Sequence, residues 1–275
     1  MKFFHHLLIA LFLFSANFFA QSDNEDYTLE EIIVTAQKTE KSLQDVPIAV
    51  SALSADDLAL RQAVRFTDLQ LNVPNLSYSE TNFGGSSVSI RGIGRLATGI
   101  SFDQSVTTHI NESPWGENTN VATMFDMDRV EVLRGPQGTL FGRGTTAGLV
   151  NLVTKRPSVD SGVEGYAGFT TGEYDLQVFE GAVNIPLDDN FAVRAAYTQT
   201  ERDGFTENLY APVGGTFDGR EHYVGRISLR YDTGNTVIDY MYQEHEEEST
   251  RTLRTNYVCT PSANIARGCT LGGEG

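Results

Sequence analysis

The sequence predicts an α+β domain followed by the first strands, about five, of a transmembrane β-barrel. Three observations support this fold class. An export signal precedes the folded part, short strands alternate with two helical stretches over residues 38–157, and segments of alternating polarity follow Pro157. Strands of a membrane barrel show this alternation because successive side chains face lipid and the barrel interior in turn.

The N-terminus has the layout of a secretory signal peptide. Lys2 supplies the charged region, an apolar run occupies residues 7–14, and small or neutral residues continue to Ala20. The apolar run is too short to cross a bilayer, so it is typical of a cleaved signal at residues 1–20. We therefore expect an exported protein with a polar lead-in after the signal.

Composition narrows the possible functions. The formal net charge of −16 disfavours nucleic acid as a partner, because phosphate binding needs an excess of Lys and Arg. The sequence shows no spaced Cys/His set for a metal, no Gly-Lys-Ser/Thr nucleotide loop and no nucleophile–base order, so it predicts no metal, no cofactor and no enzyme. Cys259 and Cys269 are the two cysteines, and in an exported protein they favour a loop disulfide.

The α+β domain has recognisable local signals. Ser54 followed by Asp57 resembles a capping box and predicts a helix start, while Thr67–Gln70 predicts a second short helix that stops before Pro74. Apolar or alternating runs predict strands at Val46–Val50, Ser87–Arg91, Arg129–Leu133 and Leu149–Thr154.

Five segments after Pro157 alternate with a period of two residues. They occupy residues 163–171, 179–187, 191–198, 223–231 and 237–242. One face of each is apolar, and the other carries small or polar residues, including the arginines of the fourth segment. A soluble β-sandwich would also alternate. The export signal and the tyrosines near strand ends, which suit an aromatic girdle, favour the membrane barrel.

The connections between these segments differ in length. Tight turns are predicted at residues 186–190 and 232–235, and long polar loops at 201–221 and from Glu244 onward. Outer-membrane barrels have short turns on one side and long loops on the other. The acidic run Glu244–Glu248 could bind a cation, but a solvated loop is the simpler interpretation.

A short β-prone patch lies in the polar arm before the α+β domain. It consists of Glu31, Ile32, Ile33, Val34, Thr35 and Ala36. Such a segment can add itself as a strand to the sheet edge of a partner protein, or it can be the first strand of the domain that follows. Composition leaves both interpretations open.

These segments, in this order, resemble the TonB-dependent outer-membrane receptors. The resemblance covers nearly all of residues 30–243. Residues 30–38 (EEIIVTAQK) are similar to the family's TonB box. Four further segments are similar to parts of its plug domain: residues 42–47 (SLQDVP), 73–76 (VPNL), 90–94 (IRGIG) and 129–157.

The resemblance implies active uptake of a scarce nutrient across the cell outer membrane of a Gram-negative bacterium. The box would engage the energy-transducing TonB protein in the periplasm, and the cargo would be an iron chelate or another small nutrient. Within the family the chain looks most like the iron-siderophore receptors. A vitamin or saccharide receptor and a non-transport surface adhesin are the alternatives.

The resemblance also implies roles for individual residues. Arg91 and Arg134 would pair with acidic groups on the barrel wall, since a planar guanidinium suits bidentate pairing with a carboxylate. Six glycines would allow tight turns in the plug, namely Gly92, Gly94, Gly135, Gly138, Gly142 and Gly144.

A complete member of this family closes a barrel of about 22 strands, so the chain is expected to be a fragment of a longer protein. The expected organisation is a signal peptide at residues 1–20, an arm with the TonB box at 21–37, a plug domain at 38–157 and a partial barrel at 158–275.

Overall fold

The computed structural model describes residues 32–35, 38–39, 41–80, 86–94, 104–115, 124–207 and 215–250. The predicted signal peptide, Glu31, Ala36 and the predicted disulfide between Cys259 and Cys269 lie outside these residues. In the described part of the chain, no helix is long and apolar enough to span a membrane.

A five-stranded mixed sheet forms the centre of the plug domain. In spatial order its strands are β3 (Ala49–Ser54), β9 (Met127–Arg134), β10 (Gly148–Thr154), β7 (Val106–Ile110) and β8 (Ser113–Pro114). Strand β10 runs antiparallel to β9 and parallel to β7, and all seven of its residues are buried.

Smaller elements surround this sheet. They are the two-stranded sheet of β1 (Ile33–Val34) and β2 (Lys41–Ser42), the three-stranded sheet of β4 (Leu76–Glu80), β5 (Ser86–Ile90) and β6 (Ile93–Gly94), and the helices α1 (Ala55–Leu60), α2 (Leu69–Asn72) and α3 (Gly138–Phe141). Two 3₁₀ turns lie at Leu43–Asp45 and Phe66–Asp68.

The local signals in the plug sequence lead to the expected elements, with one shift. The side chain of Ser54 accepts the Asp57 N–H at 3.2 Å, and the Asp57 carboxylate accepts the Ser54 N–H at 3.3 Å, so the predicted capping box is confirmed. The predicted second helix forms as α2. The strand expected at Val46–Val50 starts later, at Ala49. Pro47 lacks an N–H to donate to a neighbouring strand, which accounts for this delay.

Two apolar clusters lie on the plug sheet. The larger one joins the sheet to α1, α2 and β4–β5 through buried side chains that include Leu53, Leu58, Phe66, Leu69, Ile90, Val130, Val132, Val150 and Leu152. The smaller one contains Val34, Val46, Leu133 and Leu149. The sheet therefore has a buried layer on both sides, and the predicted box contributes to the smaller of the two.

Gly148 occupies the tightest position in the plug sheet. Its φ is +150°, and a Cβ there would lie 2.2 Å from the Leu133 carbonyl oxygen. Gly148→Ala is therefore expected to destabilise the full chain by about 2 kcal/mol, measured by urea unfolding in detergent micelles. Gly138→Ala is the matched control because a Cβ at Gly138 meets open space. Equal stabilities of the two variants would contradict this assignment.

The C-terminal part forms one antiparallel five-stranded sheet, as predicted. In spatial order it contains β11 (Glu164–Gly172), β12 (Leu176–Pro186), β13 (Phe191–Arg202), β16 (Arg220–Asp232) and β17 (Val237–Ser249). The connection between β13 and β16 carries a small hairpin of β14 (Thr206–Glu207) and β15 (Thr216–Phe217). We call the end of this sheet at Arg202 and Arg220 the loop end, and the opposite end the turn end.

The prediction of a long loop from Glu244 onward is wrong. Glu244–Glu248 lies within β17, which pairs with β16 continuously from Val237↔Asp232 to Ser249↔Arg220. Backbone hydrogen bonds build this ladder, so it continues where the side chains are no longer apolar. No group of three or more metal-ligating side chains occurs in the described part of the chain.

The two faces of the five-stranded sheet differ as a membrane barrel requires. On β13, Ala192, Arg194, Ala196 and Thr198 are buried, and they alternate with apolar side chains on the other face. That outer face exposes large apolar residues; Ile227, for example, is 51% exposed. Exposure of this kind suits a surface that faces lipid.

The outer apolar band crosses the strands obliquely. One row of cross-strand neighbours begins at Phe169 on β11, passes through Phe179 and Tyr223, and reaches Glu246 on β17. Glu246 lies beyond Tyr242, the last aromatic residue of β17. The strands of a barrel tilt by roughly 40° against the membrane normal, so a level apolar belt must cross them at an angle.

Candidate functional site

The described part of the predicted box, Ile32–Thr35, is docked on the plug domain. We call it the box segment. Ile33 and Val34 pair antiparallel with Ser42 and Lys41, and the Leu43 N–H donates to the Ile32 carbonyl at 2.9 Å. The segment is thus a short strand at the start of the domain. Strand addition to a partner protein stays a prediction.

Val34 anchors the box segment by burial. It is fully buried in the smaller core, among Val46, Leu133 and Leu149. Complete burial of a valine side chain stabilises the docked segment by about 1.5–3 kcal/mol. This contribution adds to the pairing of one two-residue strand.

A polar network holds the next residue of the segment. The Thr35 N–H donates to Glu131 Oε1 at 2.8 Å, and the Thr35 hydroxyl lies 3.2 Å from both carboxylate oxygens. Glu131 is fully buried on β9 and also accepts from Arg129 Nε at 2.8 Å and from Asn151 Nδ2 at 3.3 Å. A buried carboxylate needs such donors to be tolerated. The Glu131 carboxylate of the central sheet therefore holds the box segment through hydrogen bonds.

His109 lies beside this region and remains neutral. Its ring contacts Phe141 edge-on, with the ring centroids 5.5 Å apart. Burial lowers the pKa of His109 below its usual value of 6.5. Nδ1 lies 3.0 Å from the Glu112 carbonyl oxygen, which can only accept, so Nδ1 carries the proton and Nε2 accepts from the Thr107 hydroxyl at 3.2 Å.

The second site joins the plug to the five-stranded sheet. Asp126, just before β9, receives a bidentate contact from Arg194 of β13, in which Nε donates to Oδ2 at 2.9 Å and Nη2 donates to Oδ1. Arg226 of β16 approaches the same carboxylate to 4.0 Å and donates to the Asp126 carbonyl at 3.4 Å. At most 3% of each of these three side chains is exposed.

Apolar contacts complete this junction. The Arg226 guanidinium lies over the Phe125 ring, 4.6 Å from its centroid. Phe125 packs with Ala182, Ala196 and Val224 of the sheet. One buried plug carboxylate thus faces two buried arginines of the sheet.

Further contacts fix the chain between the two parts. Asn184 is fully buried on β12 and binds the segment between β10 and β11. It donates to the Ser158 carbonyl at 3.0 Å and to the Ser161 hydroxyl at 2.9 Å. Arg156 lies 3.7 Å from Asp239 of β17. The first strands and the end of the plug are therefore held at several points.

Arg91 and Arg134 lie apart from this junction. Arg91 is exposed, with a φ of +55°, and Arg134 is half-buried at the end of β9. No carboxylate in the described ranges lies within 4 Å of either guanidinium, so their pairing with the barrel wall stays a prediction. The junction that the structure contains has the opposite polarity, with the acid on the plug and the arginines on the wall.

The sequence patterns did not indicate a functional role for Asp126, Arg194 or Glu131. The period of two on β13 and β16 placed Arg194 and Arg226 on the inner face. Asp126 lies in a loop, where no periodicity applies, and only its left-handed φ of +49° distinguishes it.

The predicted turn glycines differ in what their backbone requires. Gly92, Gly135, Gly142 and Gly144 have left-handed φ values. A Cβ at Gly94 would lie 2.3 Å from the Ser89 Cβ, whereas Gly138 begins α3 beside open space.

Comparison with known proteins places these features in context. The profile of the TonB-dependent Receptor Plug Domain family matches residues 42–149. The iron-regulated outer membrane virulence protein of Vibrio cholerae is 30% identical over 202 residues, covering 70% of this chain and 30% of its own length. The pesticin receptor of Yersinia enterocolitica is 24% identical over 242 residues, covering 87% of this chain and 35% of its own length. The chain thus spans about a third of the length of these curated relatives.

Solved structures share the fold. The ferric yersiniabactin uptake receptor of Yersinia pestis superimposes with a TM-score of 0.67 at 22% identity, over 74% of this chain and 32% of that one. The pyoverdine outer membrane receptor of Pseudomonas aeruginosa gives a TM-score of 0.62 at 18% identity, over 78% of this chain and 30% of that one. At these identities the likeness concerns the fold.

Proposed function

Because the chain belongs to the TonB-dependent outer-membrane receptors, we propose that it is part of a transporter that takes up a ferric siderophore with energy delivered through TonB. It is an outer-membrane protein whose relatives are receptors and transporters rather than enzymes.

The docked box segment is the observation that carries this proposal. Its strand pairing extends over two residues, Ile33↔Ser42 and Val34↔Lys41, whereas β16 and β17 pair along thirteen. So short a pairing can be replaced by pairing with the sheet edge of a partner protein. TonB would then hold a segment that connects directly to Glu131 in the central plug sheet.

The rest of the plug supports transport by remodelling. Strand β10 is buried along its whole length, and Asp126 is bound to the wall by two arginines. A force on the box segment would act first on the weak β1–β2 pairing and on the Glu131 network, while the Asp126 junction resists. We therefore expect the plug to open next to the box segment before it leaves the wall.

The relatives' names guide the choice of cargo. Those names include an iron-regulated protein, a hemin receptor and a vitamin B12 transporter, and the solved structures include receptors for ferric yersiniabactin and pyoverdine. A ferric siderophore fits this set better than a vitamin, because iron uptake recurs in it.

Val34→Pro in the full-length receptor tests the energy coupling. Proline removes the N–H and the extended pairing of the box segment, so uptake should fall to the level of a strain without TonB. Binding of the cargo at the cell surface should stay within about twofold, since the change is remote from the loop end. Uptake of radiolabelled ferric siderophore under iron limitation is the measurement.

Val34→Ile is the matched control and should retain uptake, because it preserves an apolar β-branched side chain. Normal energised uptake by Val34→Pro would contradict the proposal. A surface adhesin would retain its function in both variants.

A further inference from the structure

Two arginines face each other on the inner wall at the loop end. Arg202 of β13 and Arg220 of β16 are directly paired in the sheet register, on the same face as the buried Arg194 and Arg226. We propose that Arg202 and Arg220, with His222, form an anion-binding site, and that the cargo is therefore a negatively charged chelate. This inference rests on the proposed function, since it names the cargo class of that receptor.

Like charges placed directly opposite each other destabilise a sheet unless an anion lies between them. Arg202 Nη2 donates to the backbone carbonyl of Asp218, but its Nε is buried without a hydrogen-bond partner in the described part of the chain. No described carboxylate lies within 4 Å of either guanidinium. The pair thus retains donors that match a carboxylate, catecholate or phosphate oxygen.

The same two strands contain an internal comparison. Nearer the turn end, Arg194 and Arg226 form a second pair of inward-facing arginines, and there the Asp126 carboxylate bridges them. The wall therefore carries two arginine pairs: Arg202 and Arg220 are direct partners in the register, whereas Arg194 and Arg226 are diagonal neighbours, opposite Ser228 and Ala196. The pair nearer the turn end has a carboxylate from the plug, and the pair at the loop end has the geometry to receive one from a ligand.

The surroundings favour an anion over a cation. Asp218 interacts with Arg202, and Glu247 lies opposite His222 in the register. The chain neighbours Glu201 and Glu221 lie on the outer face, and Asp203 is exposed. Arg65 of the plug adds another positive charge close to Arg202. The two paired arginines and Arg65 are three positive groups against Asp218 and Glu247.

An aromatic platform adjoins the arginines. The Arg202 guanidinium lies 5.2 Å from the centroid of the Phe205 ring, and Tyr174 lies 5.8 Å from the same ring. Phe205 and Tyr174 are 50% and 54% exposed, which leaves ring surface for an apolar or aromatic part of the ligand. The site thus suits an anionic chelate with planar groups, such as a ferric catecholate.

The test uses the full-length receptor in detergent and two probes, a triply negative ferric tris-catecholate and an uncharged ferric trihydroxamate. Arg202→Gln and Arg220→Gln should each weaken binding of the tris-catecholate about tenfold, and Arg202→Lys should retain most of it. Glu201→Gln, one residue along β13 on the outer face, is the matched control. If the arginines contact the ligand directly, Glu201→Gln should leave its affinity unchanged. If they act only through long-range attraction, loss of this negative charge should tighten binding.

Thermal unfolding without ligand provides an independent readout. Relief of the like-charge repulsion should raise the melting temperature of Arg202→Gln by about 1–2 °C, while the same change at Arg194 should lower it. A lower melting temperature for Arg202→Gln would show that the protein itself neutralises the pair and would overturn the inference. Equal affinity of wild type and Arg202→Gln for the tris-catecholate would overturn it too.

Failure of this inference is distinguishable from failure of the proposed function. If uptake requires TonB and an intact Val34 while the arginine variants bind the tris-catecholate normally, the anion site is wrong and the transporter assignment stands. If the arginine variants lose binding but Val34→Pro still takes up cargo, the anion site stands and the energy coupling is wrong.

Discussion

Asp126→Ala is expected to destabilise the contact between plug and barrel by about 3–5 kcal/mol, the largest effect of any single change in the described part of the chain. The substitution leaves Arg194 and Arg226 buried without their shared carboxylate. A buried arginine that loses its partner keeps the full cost of desolvation. We therefore expect the plug to detach more readily from the first strands.

Urea unfolding of the full-length receptor in detergent, followed by protease cleavage within the plug, measures this effect. Asp126→Asn keeps the shape of the side chain and removes its charge, so it should destabilise nearly as much as alanine. Asp160→Asn is the matched control, because Asp160 is exposed and should change stability by less than about 0.5 kcal/mol. Indistinguishable cleavage of Asp126→Ala and Asp160→Asn would mean that the junction contributes little.

Glu131→Ala is expected to release the box segment from the plug. It removes the acceptor of the Thr35 N–H and hydroxyl and leaves Arg129 and Asn151 without their shared partner. Loss of this buried, charge-assisted network should cost about 3 kcal/mol, which lowers the hydrogen-exchange protection of the Thr35 amide roughly a hundredfold. If TonB binds this segment, as proposed, the undocked segment would be available to it at all times.

Hydrogen exchange of the peptide that contains residues 32–43 is the measurement. Thr35→Val is the graded control: it removes the hydroxyl and keeps the backbone N–H bond to Glu131, so protection should fall by about tenfold or less. If protection is the same in Glu131→Ala and in the wild-type receptor, Val34 and the β1–β2 pairing hold the segment without help from the carboxylate.

Much of the architecture follows from local sequence patterns. The capping box at Ser54 and Asp57 predicted where α1 begins, because the two residues satisfy each other's backbone groups within one turn. The alternation in the five segments after Pro157 predicted five membrane strands and, on β12, β13 and β16, which side chains lie opposite the apolar face. A side-chain period of two needs no knowledge of distant neighbours, so sequence determines it directly.

The functional contacts depend on tertiary structure. Asp126 and Arg194 are 68 positions apart in the sequence, and Thr35 and Glu131 are 96 positions apart. Neither separation leaves a periodic signal. Arg91 and Arg134, which the family resemblance favoured, have no described acid partner, whereas Asp126 has two arginines.

By itself the sequence determined the class of the protein and the inward and outward faces of its strands, and it predicted the box. The tertiary structure alone decided which charges meet, because partners in a packed interior are chosen by strand register and loop closure rather than by spacing along the chain. The same register places Arg202 opposite Arg220, a pairing that the spacing of these two residues along the chain does not reveal.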